Sequence, residues 1–174
     1  MNERAWNEPD GAISLKPAMS ADHGFLRRVY AATREPERRA STWTDDEWSE
    51  FVDSQFEAQR RHYLSAYPGA EHSIILHRDV PAGRLWVWES ETQIRLLDIA
   101  ILPEHRNLGI GTHLIRALQD RASHTAKPLR HMVELNNPGA MRLYERLGFV
   151  PIETRGLHVH LEWLPPGFMG STEP

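Results

Sequence analysis

The chain has 174 residues, 40% of them hydrophobic, and its 20 Lys and Arg against 24 Asp and Glu give a formal net charge of −4. That suits one domain with a real core, and argues against a disordered acidic chain or a broadly basic nucleic-acid binder. There is no Cys, which removes disulfides, thiolate zinc sites and a cysteine nucleophile. No apolar run approaches the ~20 residues that span a bilayer, and the N-terminus lacks a signal-peptide layout, so a cytoplasmic protein without a membrane partner is expected.

Residues 1–11 carry Pro9-Asp10-Gly11 and read as a flexible arm; residues 165–174, with three Pro and two Gly, read as a flexible tail. Residues 12–164 are left as a single domain. Residues 12–15 alternate like a strand. Ser20 opens a helix whose Phe25, Leu26, Val29 and Tyr30 share a face. Thr44-Asp45-Asp46-Glu47 is a capping box, with Trp43 and Trp48 at the positions of a hydrophobic staple. The helix it opens runs to about Ala66. Strands are expected near residues 72–77, 84–89 and 93–102, the first two separated by Val80-Pro81-Ala82-Gly83. A helix follows over 109–123, then a strand over 129–135. Asn137-Pro138 starts another helix, which Leu147-Gly148-Phe149 closes. Strands near 150–154 and 157–164 form a last hairpin. The order predicts an α+β, mixed-layer fold of about seven strands and four helices.

The chemistry concentrates in Ile99-Ala100-Ile101-Leu102-Pro103-Glu104-His105-Arg106-Asn107-Leu108-Gly109-Ile110-Gly111, a strand, a turn and Arg-x-x-Gly-x-Gly opening a helix. Glycines let the backbone approach a ligand, and the first helical turn presents unpaired N–H groups at the positive end of the dipole. A phosphate or pyrophosphate suits such a place. A Walker loop is ruled out because no Gly-Lys-Ser/Thr follows. A dinucleotide fingerprint is ruled out because position 114 is Leu rather than Gly.

Arg106-x-x-Gly109-x-Gly111 resembles motif A of the GNAT superfamily of acyl-CoA-dependent N-acyltransferases. Asn137 through Ala140 to Leu143-Tyr144-Glu145-Arg146-Leu147-Gly148-Phe149 looks like its motif B. The resemblance implies the GNAT fold, with a central mixed, mostly antiparallel sheet, and acetyl-CoA as cosubstrate without a metal. It implies that the backbone of Ile99, Ala100 and Ile101 pairs with pantetheine and polarises the acyl carbonyl. It places the pyrophosphate on Arg106, Asn107, Leu108, Gly109, Ile110, Gly111 and Thr112, with Asn137 and Ala140 also at the cofactor. Family members often carry Gly where this chain has Asn107. Tyr144 matches the usual general acid, although a core aromatic is the plain alternative.

A lysine-like amine with pKa ~10.4 costs about 4.6 kcal/mol to deprotonate at pH 7, so a carboxylate base is useful. Glu134 and Asp98 are the candidates. Relatives that acetylate ribosomal N-termini hold a Glu five residues before the motif-B Asn, where this chain has Met132. Asp98 lies in an apolar strand, which is costly unless it is useful or paired, for instance with Arg95.

Residues 35–57 hold eight carboxylates against two arginines, a net of −6, whereas residues 101–131 are +3. An acidic rim would attract a cationic amine, yet helix capping explains Asp45, Asp46 and Glu47. Trp43 and Gln55 are candidates for the acceptor pocket. His158-Val159-His160 lacks a third metal ligand. Trp86 and Trp88 share a strand face and belong to the core or to a homodimer contact. The reading is an N-acetyltransferase acting on a primary amine of a small molecule, amino acid or peptide, by direct attack in a ternary complex. The alternatives are a non-catalytic acyl-CoA sensor and, on weaker grounds, a dinucleotide enzyme.

Overall fold

The side chains that begin helices α3 and α5 are those the residue pattern nominates. In a computed structural model, which describes residues 12–168, helix α3 (Asp45–Ala66) starts at Thr44. The Thr44 oxygen accepts from the Glu47 N–H, and Glu47 accepts from the Thr44 N–H at 2.8 Å. Trp43 stacks on Trp48 at 6.0 Å, completing the staple. Helix α5 (Pro138–Arg146) starts where the Asn137 side chain accepts from the Ala140 N–H at 3.0 Å. It ends at Gly148, with φ +82°, where the Phe149 N–H returns to the Tyr144 carbonyl. The Gly148 N–H bonds the Glu145 carbonyl in the same turn, so this is a Schellman closure.

The other helices are α1 (His23–Thr33), preceded by a 3-10 turn at Ser20–Asp22, α2 (Glu35–Ala40) and α4 (Ile110–Thr125). Four helices were expected and five are present among the described residues. The extra one, α2, buries no residue and so carries no apolar periodicity. It is supported instead by Pro36 in its first turn and by the Arg39–Glu35 ion pair across one turn.

The strands are β1 (Ile13–Pro17), β2 (Glu71–His77), β3 (Val80–Glu89), β4 (Ile94–Ile101), β5 (Leu129–Glu134), β6 (Val150–Arg155) and β7 (His158–Trp163). They form one seven-stranded sheet in the order β1-β2-β3-β4-β5-β7-β6. β4 and β5 are parallel, while β1–β2, β5–β7 and β6–β7 are antiparallel. The β2–β3 turn is not at 80–83 as expected. It is Arg78-Asp79, both at positive φ (52° and 63°), the two-residue hairpin turn whose twist matches the strands. Gly83 therefore lies inside β3.

The chain divides into two compact units, residues 87–97 with 111–168 and residues 12–86 with 98–110. In the second, Leu26, Tyr30, Trp48, Val52, Phe56 and Ile74 form one cluster, and Val29, Ala100 and Leu102 another. In the first, Leu114, Ile115 and Leu118 of α4, Leu129, Tyr144 and Leu161 are buried. The expected arm at 1–11 and the tail beyond 168 lie outside the described residues. Of the tail, residues 165–168 make a turn closed by the Phe168 N–H on the Pro165 carbonyl.

Candidate functional site

The candidate phosphate loop begins where β4 ends. After Ile101, a 3-10 turn at Pro103–His105 redirects the chain. Arg106 ties the loop to the strand end, its Nε donating to the Ile101 carbonyl at 2.9 Å. Asn107 and Gly109 both have positive φ, 61° and 82°. After Gly, Asn is among the residues that tolerate this conformation best, so Asn107 suits its place. Residues 106–109 are exposed, while Ile110 is buried and pins the start of α4. A Cβ on Gly109 would meet no atom of the described residues within 4 Å. Gly111 and Thr112 follow in the first helical turn, whose N–H groups have no partner within the helix. Alternating left-handed backbone into a helix N-terminus makes an anion-binding concavity.

β4 approaches β3 unusually closely just before this loop. At the hairpin end the Ser90 N–H donates to the Gln93 carbonyl; at the other end the Leu102 N–H donates to the Ala82 carbonyl. Eight residue steps on β3 face nine on β4, so β4 carries one surplus residue, a β-bulge. A Cβ on Gly83 would stand 2.2 Å from the Ala100 oxygen.

Asp98 is engaged by an arginine of β3. Its Oδ2 accepts from Arg84 Nε at 2.7 Å. Arg84 is only 1% exposed, donates through Nη2 to Gln59 Oε1 at 2.8 Å, and has its guanidinium 5.4 Å from the centre of the Tyr30 ring. His72 lies flat on Trp86, ring centroids 3.9 Å apart, and its buried Nε2 has no hydrogen-bond partner among the described residues. Burial, and then the Arg84 charge, pull the His72 pKa down to about 4. Burial, and then the Asp98 charge, push the Tyr63 phenol up. Gln59, Tyr63, His72 and Arg84 were not anticipated. The one available signal was Arg84, a second charge in an apolar strand.

In the unit of residues 87–97 and 111–168, Tyr144 is 2% exposed, with its ring against His131 at 4.7 Å and Phe149 at 5.3 Å. His131 Nδ1 donates to the Leu96 carbonyl at 2.7 Å, which fixes that ring. Glu134, half-buried on β5, faces His158 of β7 in register. Asn137 uses its side-chain oxygen to cap α5, and half-buried Ala140 supplies the N–H it caps.

Trp43 is 42% exposed beside Phe51, with ring centroids 4.7 Å apart. Gln55 is exposed on α3, and it is Gln59, one turn later, that reaches the sheet. Most of the acidic rim is already employed. Glu35, Glu37, Asp45, Asp53 and Glu57 pair with Arg39, Arg34, Arg38, Arg27 and His23 respectively. The Arg27 hydrogen bond holds Asp53, and the Thr44 N–H holds Glu47, below the usual carboxylate range. Among the described residues no three or more His, Asp or Glu are grouped to hold a metal, and no helix is long and apolar enough to cross a membrane.

The sequence model of the acetyltransferase (GNAT) family matches residues 37–149. A mycothiol acetyltransferase of Saccharopolyspora erythraea is 35% identical over 99 residues, 48% of this chain and 32% of that protein. The match thus spans about a third of that relative's length. Among solved structures, PaiA N-acetyltransferase from Thermoplasma acidophilum, in complex with coenzyme A, has a TM-score of 0.66 at 14% identity. The match covers 87% of this chain and 98% of that one. Arabidopsis thaliana Naa50, in complex with a bisubstrate analogue, has a TM-score of 0.58 at 13% identity, covering 87% and 97%. At those identities the likeness is one of fold.

Proposed function

This chain belongs to the acetyltransferase (GNAT) family, and we propose that it moves an acetyl group from acetyl-CoA to a primary amine of a small molecule, amino acid or peptide. The transfer is direct, within a ternary complex in the cytoplasm, and residues 12–164 act as one domain. The observation that carries this reading is the junction from β4 into α4. There a strand end, two left-handed residues and a helix N-terminus follow one another within residues 99–112.

The donor binds as a thioester, an acyl group already activated towards amines. The N–H groups from Arg106 to Thr112 take its pyrophosphate, and the Asn137 amide NH2, which the cap does not use, is the group assigned to it on α5, beside Ala140. The backbone of Ile99 to Ile101 holds the pantetheine arm and aims an N–H at the acyl oxygen, where charge develops. We assign proton removal from the amine to Glu134, because Asp98 already serves as the counter-ion of buried Arg84. Asp98 then orders the floor beneath the acceptor. Tyr144, its ring held by His131 and Phe149, gives a proton to the departing sulfur. The thiol pKa near 8.5 and the phenol pKa near 10 let that proton pass late, as charge builds on sulfur. Trp43 and Gln55 are assigned to the acceptor side. With no Cys in the chain, no cysteinyl acyl-enzyme intervenes, and positioning supplies most of the acceleration.

Thiol release tests the reading. The protein is incubated with acetyl-CoA and a panel of alkylamines, amino acids, peptides and mycothiol-type amines. Release above the acceptor-free rate is expected for at least one of them. Tight acetyl-CoA binding with no release for any acceptor favours the sensor, which needs neither Tyr144 nor Glu134.

A further inference from the structure

Gly83 stands where no side chain fits. A Cβ there would meet the Ala100 oxygen at 2.2 Å and the Ile101 Cα at 3.1 Å. Both are backbone atoms, so relief requires strand movement rather than a rotamer change. Ordinary non-bonded contact needs roughly 1 Å more. The crowding falls on the same strand that carries the surplus residue, just before the phosphate loop.

The peptide Ala100–Ile101 is trans, so its C=O and N–H point in opposite directions. The carbonyl is turned to Gly83; the Ile101 N–H is therefore turned away from β3. We propose that Gly83 is a positioning residue for acyl transfer: by leaving room for the Ala100 carbonyl, it sets the plane of this peptide and the aim of the Ile101 N–H. The proposal rests on the acetyl-transfer reading above, in which that stretch of backbone polarises the acyl carbonyl. Gly83 touches neither substrate. It acts through Ala100, and a methyl group there rotates or displaces the donor by close to the 1 Å that can cost about 10²-fold in rate.

The test compares wild type with Gly83→Ala, using acetyl-CoA labelled at the acetyl carbonyl. In wild type the bound carbonyl stretch moves to lower frequency than in water, the mark of a polarised bond. In Gly83→Ala the shift falls by more than half and kcat by about 10- to 100-fold, while the Kd for CoA changes far less because its pyrophosphate is held by the N–H groups that follow Leu102. Ala82→Gly is the control: it loosens β3 without placing an atom against Ala100, and keeps the wild-type carbonyl shift. A full shift and full kcat in Gly83→Ala overturn the proposal, and so does equal loss of the shift in Ala82→Gly. If Gly83→Ala does not fold, the wild type decides through its nitrogen-labelled Ile101 amide. A resonance that moves when acetyl-CoA replaces CoA supports the proposal; an unmoved one overturns it. Wild type that binds no acetyl-CoA at all overturns the acetyl-transfer reading, and the proposal with it.

Discussion

Replacing Asp98 with Ala removes the counter-ion of a guanidinium that is 1% exposed and bonded to it at 2.7 Å. Gln59 remains as a neutral acceptor on Nη2 and Tyr30 as an aromatic face, but neither neutralises the charge. Breaking a buried pair from one side costs about 3–5 kcal/mol, because the partner's charge stays buried without compensation. Asp98→Asn keeps an oxygen in place and loses less. The double change Arg84→Met with Asp98→Leu removes both charges and should return to within about 1 kcal/mol of wild type. Urea unfolding measures all three. For the folded Asp98→Asn protein, the acid limb of the kcat/KM profile should survive, since another carboxylate takes the amine's proton. The reasoning is refuted if Asp98→Ala loses less than about 1 kcal/mol while the acid limb disappears with Asp98→Asn.

His72 gives a pH dependence of stability with a definite sign. Its folded pKa, about 4, lies below the unfolded value near 6.5, so the unfolded chain binds the extra proton between those limits. The contribution is present in full above about pH 6.5, declines as pH falls and is lost below about 4. The full shift corresponds to roughly 3 kcal/mol, which partial exposure reduces to about 2. His72→Phe keeps the stack on Trp86 and should flatten the decline in unfolding experiments between pH 7 and pH 4; an unchanged slope contradicts the assignment. Tyr144→Phe should lower kcat by about 10²-fold or more while CoA affinity stays nearly constant. An unchanged kcat removes Tyr144 as the acid.

What was legible in the residues is what local chemistry decides. Thr44 with Glu47, Asn137 with Ala140 and Gly148 with Phe149 each close within a few positions, so helix ends could be read directly. The candidate phosphate loop can be nominated from sequence for the same reason: residues 99–112 are contiguous, and the left-handed backbone at Asn107 is what the structure adds. α2 left no trace because it buries nothing. Gly83 reads as a turn residue in sequence, yet it lies inside β3 against a carbonyl 17 positions away, on another strand. The ion pair of Asp98 with Arg84, on another strand, could not be read from the sequence, because strand register and bulges are settled by pairing rather than by sequence proximity. Gln59, Tyr63 and His72 join that cluster from α3 and β2, and no local pattern announces them.

The most direct test of the central claim is a single turnover with labelled acetyl-CoA and the most reactive amine of the panel, resolved by mass spectrometry. The account predicts that the label appears on the amine in step with free thiol and never on the protein. Label that stays in bound thioester with every amine, or that collects on the protein before reaching the amine, would contradict it.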